Sequence, residues 1–155
     1  MNDELNKKLL KEELHFLELS IDTFLLSIEK CKLIGKKDLY SFEEMESFDS
    51  LTSKFNRTSD IYIQKVLRTV WSLLHESFVP FIDFMNQGEK LGLIDNADIL
   101  IAARDLRNQI AHEYLPEAIT ELVPDVIEFG LLLIKNIETT KSFLHDRQWE
   151  VRGNS

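Results

Sequence analysis

Between residues 10 and 31 the apolar positions Leu10, Leu14, Leu17, Ile21, Phe24, Ile28 and Cys31 recur in alternating steps of four and three. That spacing lays one continuous stripe along an α-helix. Asn2 or Asp3 stands where a cap belongs, and Gly35 followed by two lysines marks a stop, which predicts a helix of roughly 30 residues and about 45 Å. The stretch 35–50, GKKDLYSFEEMESFDS, has mixed charge and little periodicity and reads as a connecting loop with one short turn of helix. From about Phe48 the stripe resumes with Leu51, Phe55, Tyr62, Val66, Thr69 and Leu73, and Pro80 is expected to kink or break this second helix. FIDFMNQGEKLGLID then predicts a short helix ending at Gly88 to Gly92, with Asp95 as the next cap. A third long element runs from about Ala97 to Tyr114, where Pro116 turns the chain. The last helix, Glu117 to about His145, has an apolar face of Ile119, Leu122, Val126, Gly130, Leu133, Ile137 and Leu144, widened by Ile127, Leu131, Leu132 and Ile134. A face of that width predicts more than one neighbour, within a bundle or across a dimer interface.

These elements predict an all-α, up-and-down bundle of four to five helices, in one domain over residues 1–146 with a flexible tail over 147–155. Composition agrees: 5 glycines and 3 prolines leave few turns for a many-stranded sheet, and 44% hydrophobic residues in 155 suffice for one core. The single Cys31 makes neither an internal disulfide nor a thiolate zinc site, and the charged opening MNDELNKKLLKEEL does not read as a signal peptide, so a cytoplasmic protein is expected. The longest apolar runs, such as FGLLLI at 129–134, are too short to span a bilayer. With 18 basic against 27 acidic residues the net charge is −9, which argues against nonspecific coating of nucleic acid but leaves room for a local basic site.

ARDLRNQIAHEYLPE, residues 103–117, is where the chemistry gathers: Arg104, Arg107, Asn108, His112 and Tyr114 within about three turns. On a 100° wheel centred on Leu106, the residues Ile99, Ala103 and Ile110 fall within about 60° of the core direction. Arg107 and Tyr114 share a flank, whereas Asn108 and His112 face away from the core. Arg107 and His112 lie about 140° apart, so one straight helix does not aim both at one point; an unwound helix end or a second copy at a two-fold interface would bring them together. The same residues also suit a solvated helix end whose cations complement the dipole. Arg104 extends a phosphate track or pairs with a nearby carboxylate. Arg57 and Asp60 have the spacing of a salt bridge, with a place beside the cleft as the other reading. His15 and His145 are isolated, and His75 reads as structural. Scattered carboxylates and the absence of an HExxH pattern give no visible metal ligand set, and GEKLG is a helix terminator, so neither metal nor cofactor is expected.

RNQIAHEY has the form Arg, four residues, His, one residue, Tyr, with a polar residue directly after the Arg, and in this it resembles the HEPN family, in particular its HepT-like toxin branch. The long first helix, FNRTSDIYIQKVLR in the second, the EKLGLID turn and the motif closed by Pro116 follow in the same order over most of the chain. The resemblance implies a HEPN-like homodimeric bundle that cuts RNA without metal, the motifs of two subunits facing each other in a cleft. A ribose 2′-hydroxyl attacks the adjacent phosphate once a base removes its proton and an acid protonates the leaving 5′-oxygen, and His112 suits that work near neutrality. Arg107 suits the charge that gathers on the phosphoryl oxygens. Asn108 would orient the imidazole or bind a phosphate oxygen, and Tyr114 would stack on a base or bond the phosphate. The resemblance further implies a nucleotidyltransferase antitoxin of the MntA-like (MNT) kind that silences the toxin by placing AMP on Tyr114. An alternative is a noncatalytic HEPN subunit that binds nucleotide or substrate for such a nucleotidyltransferase.

Overall fold

In the computed structural model, which describes residues 2–149, the first stripe becomes helix α1, Asp3–Ile34. Asn2 caps it by accepting a hydrogen bond from the Glu4 amide at 2.9 Å, and Gly35, at φ 68°, ends it. Leu10, Leu17, Ile21, Phe24, Ile28 and Cys31 are all buried, as their spacing requires.

The loop expected over 35–50 is shorter than its composition suggested. Helix α2, Phe42–Ser59, starts six residues before Phe48 because Ser41 and Glu44 form a reciprocal cap. The Glu44 amide donates to Ser41 Oγ at 3.1 Å and the Ser41 amide donates to Glu44 Oε1 at 2.8 Å. Without a break the chain continues into a π-helical segment, Asp60–Val66, and then helix α3, Leu67–Leu73. Pro80 does not break this rod. It ends at Leu73, after which His75 takes a left-handed conformation at φ 57° and the Glu76 amide bonds back to the Trp71 carbonyl at 3.3 Å. The Trp71 indole N–H holds the reversing loop by donating to the Ser77 carbonyl at 3.1 Å. Pro80 instead stands as the residue before α4, Phe81–Leu91, which Gly92 closes at φ 78°.

Helix α5, Ala97–Ala111, is capped by Asn96 rather than Asp95, and it stops three residues short of the expected Tyr114. Helix α6, Pro116–Asp146, opens on Pro116 and carries Pro124 internally. Arg147 to Trp149, assigned from sequence to the tail, fold back: the Trp149 amide bonds the Leu144 carbonyl at 3.0 Å and the indole meets Phe143 edge-on. The rest of that tail lies outside the described residues.

The result is an all-helical bundle with no strand among the described residues. Its core runs between α1, the α2–α3 rod and α6. α1 and α6 approach closely at Gly130, where a Cβ would lie 2.5 Å from the Phe24 ring. Ile127 and Ile134 pack on the same core, whereas Leu131 is exposed, so the wide face of α6 is largely consumed within the chain. A buried polar junction fixes α5 relative to the π segment. Thr140 donates its hydroxyl proton to the Leu93 carbonyl at 2.8 Å, and the Tyr62 hydroxyl points its proton at α6, lying 2.7 Å from Thr140 Oγ1 and 3.3 Å from the Asn136 carbonyl. Burial pushes the Tyr62 phenol well above its usual range, so it stays a donor. Asn136 Oδ1 accepts from the amides of Asp95 and Asn96 at 3.0 and 3.1 Å, tying the start of α5 to α6.

Candidate functional site

Because Tyr62 is anchored on α6 and Asn136 holds the start of α5, the first turn of the π segment and the last two turns of α5 are held side by side. Asp60 and Arg107 meet across that gap. Arg107 Nε donates to Asp60 Oδ1 at 2.9 Å and its Nη2 donates to Oδ2 at 2.8 Å, a planar fork on a carboxylate. Asp60 raises the proton affinity of the guanidinium further, so Arg107 is a permanent cation with a fixed plane. Asp60 therefore takes Arg107 as its partner across the bundle, and the local salt bridge expected between Arg57 and Asp60 does not form.

Around this pair is a groove of about 380 Å³, lined by Ser59, Asp60, Ile63, Gln64 and Lys65 from one rod and by Arg104, Arg107 and Asn108 from α5. Three cations, Lys65, Arg104 and Arg107, stand against one carboxylate, Asp60, leaving a local charge of +2 on a chain whose total is −9. Among the described residues Arg104 makes no ion pair; its guanidinium lies 4.1 Å over the Phe81 ring, which holds the head group at the groove without neutralising it. Asn108 is exposed on the groove wall.

His112 and Tyr114 lie beyond the groove. His112 is the residue that closes α5, its amide bonding the Asn108 and Gln109 carbonyls at 3.2 and 3.3 Å, and its side chain is exposed. The link between Asn108 and His112 is thus through the backbone, and the imidazole makes no hydrogen bond to Asn108 among the described residues. Tyr114, 85% exposed, lies past the end of α5 and outside the groove lining, and the Glu113 carboxylate accepts hydrogen bonds from the amides of Tyr114 and Leu115 there. Arg107, Arg104 and Asn108 are brought together, then, while His112 and Tyr114 project from the adjoining helix end.

Asp60 pairs with Arg107 and not with Arg57, but it lines the groove, as the other reading of its position had it, and nothing in the sequence marked Gln64 and Lys65. Their signal was weak: the π segment adds a residue to a turn of an otherwise regular helix, the Leu67 amide reaching back to the Tyr62 carbonyl, and no composition announces that. His75 sits within 3.1 Å of Asp3 at the far end of the second rod, away from this groove. No group of three or more His, Cys, Asp or Glu among the described residues is arranged to hold a metal. No helix among them is long and apolar enough to cross a membrane.

The class that fold and site define is an all-helical bundle with a small basic groove. No protein-family model, curated protein or solved structure matches the chain.

Proposed function

We propose that the chain is a metal-independent endoribonuclease of the HEPN type, a toxin whose groove at Arg107 seats a phosphate of single-stranded RNA. The observation that carries this reading is the excess of positive charge gathered by Lys65, Arg104 and Arg107 in one groove of an acidic protein, directly before the exposed His112. Asp60 fixes the Arg107 plane so that its remaining N–H edge is available to a phosphoryl oxygen, and Arg104 and Lys65 extend the track. His112 exchanges the proton of the 2′-hydroxyl or of the leaving 5′-oxygen, the O2′–P bond forming as P–O5′ breaks to leave a cyclic phosphate and a 5′-hydroxyl. Arg107 and His112 act together when a second copy faces the first. Tyr114, open to solvent, is accessible for AMP transfer by a partner nucleotidyltransferase, and the added phosphate would compete for the basic groove.

A second reading, a noncatalytic subunit that binds nucleotide or substrate for that nucleotidyltransferase, is favoured by the closure of Arg107's fork on Asp60, since a closed fork is a weaker anion clamp. The test that separates them is incubation of the purified protein with RNA in excess EDTA, beside His112→Ala. Cleavage by the wild type alone, ending in cyclic phosphate, supports the enzyme; intact RNA with both proteins leaves the docking subunit.

A further inference from the structure

Helix α1 carries a second stripe that its own bundle does not cover. Leu5, Leu9, Phe16, Leu19, Leu26 and Leu33 follow steps of three, four and seven, and Leu5, Phe16, Leu19 and Leu26 are 59, 52, 51 and 72% exposed. The stripe keeps a heptad register about 150° round the helix from the buried one, the pattern of a left-handed helix pair. Beside it a groove of about 530 Å³ is walled by Phe16 and Leu19 together with Arg57, Ile61 and Lys65.

We propose that this stripe packs against the same stripe of a second copy of the chain, antiparallel, about a two-fold axis between Phe16 and Leu19. Charge selects both the occupant and the direction. In that register Phe16 faces Leu19 of the second copy and Leu9 faces its Leu26, while on the flank Lys8 faces Glu29 and His15 faces Asp22, each contact repeated by symmetry. Of the other stripe positions, Glu12 meets the hydroxyl of Thr23, Lys30 meets Leu5 at the rim, where its ammonium reaches water, and Leu33 lies at the end of the contact opposite Asn2. A parallel pairing would instead set Glu12 against Glu12 and Lys30 against Lys30. Lys65 lines both this groove and the Arg107 groove, so the second copy would border the candidate site. The inference does not depend on the ribonuclease reading.

Sedimentation of the purified chain decides it. A dimer of twice 18.1 kDa is expected at micromolar concentration, with Phe16→Glu monomeric. Lys8→Glu, at an exposed position unable to unfold the core, is expected to weaken the dimer about tenfold by placing like charges together twice, and Lys8→Glu with Glu29→Lys to restore it. A monomeric wild type, an unaltered dimer in a folded Phe16→Glu, or failure of the double exchange to restore affinity would overturn the proposal. RNA cleavage followed on the same samples is a separate readout, so loss of this interface and loss of the enzymatic reading are distinguishable.

Discussion

Asp60→Asn separates the two roles of the carboxylate that grips Arg107. The change keeps the shape of the side chain and one acceptor oxygen but removes the negative charge, taking the groove from +2 to +3. Both partners are about one-third exposed, with side-chain exposures of 33 and 39%, so solvent screens them and the ion pair itself stabilises the fold by only about 1 kcal/mol even with two hydrogen bonds. For a phosphate seated roughly 6 Å from the Asp60 carboxylate, Coulomb repulsion amounts to ~3 kcal/mol at an effective dielectric of about 20 and ~0.7 kcal/mol in water. At physiological salt and this exposure the lower end governs, about 1 kcal/mol, or a roughly fivefold gain in affinity when the charge is removed. The expected outcome is therefore two changes of opposite sign: a urea midpoint lowered by the equivalent of about 1 kcal/mol, and tighter binding of a short single-stranded RNA by fluorescence anisotropy. General damage lowers both. Unchanged or weaker RNA binding by a folded Asp60→Asn would refute the phosphate groove and leave the pair a structural clasp.

Gly130→Ala is expected to destabilise by about 1–2 kcal/mol in chemical unfolding, since the overlap with the buried Phe24 ring at 2.5 Å outweighs the ~1 kcal/mol that Ala gains over Gly as a helix former. Asn136→Ala, which strips the Asp95 and Asn96 amides of their acceptor, is expected to cost about 2 kcal/mol in the same assay. Glu13 is buried against Thr69, and burial raises its carboxyl above the ordinary 4.5 despite the hydroxyl donated at 2.6 Å. A folded-state pKa raised in this way means stability contributed below 4.5 and lost as pH rises through the folded value. Glu13→Gln should therefore melt higher than wild type at pH 7, with the gain shrinking toward pH 4; an equal gain at both would show that charge is not the cause.

Where apolar spacing carried the information, the sequence was easily read: the buried stripe of α1 and the long last helix appear with nearly the expected ends. The misread boundaries came from single polar groups. Ser41 and Glu44 begin α2 early through a box spelled in the sequence as SFEE, hidden inside a stretch judged by its charge. His75 ends the second rod by adopting an angle usual for glycine, so the visible proline took undue credit. At the candidate site the α5 side of the groove could be read, because Arg104, Arg107 and Asn108 share one helix. The opposite wall could not, because pairing Asp60 with Arg107 depends on a contact 47 positions apart and on the π segment that presents it.

The geometry of α5 bears on the proposed pairing of Arg107 with His112. Helical hydrogen bonding persists to His112, so no unwound turn brings the imidazole round to Arg107's side, and five residues of helix leave them about 140° apart. If the two act on one phosphate, they come from different subunits. Co-expression of Arg107→Ala and His112→Ala chains under different affinity tags yields heterodimers with one site holding both residues and one holding neither. Such a heterodimer is expected to cleave RNA at about half the wild-type rate while each parental homodimer stays inactive. If Arg107 and His112 instead acted within one subunit, every site of the heterodimer would lack one of them, and no activity would return; that result would dismantle the composite cleft while leaving the α1 pairing to stand or fall on sedimentation.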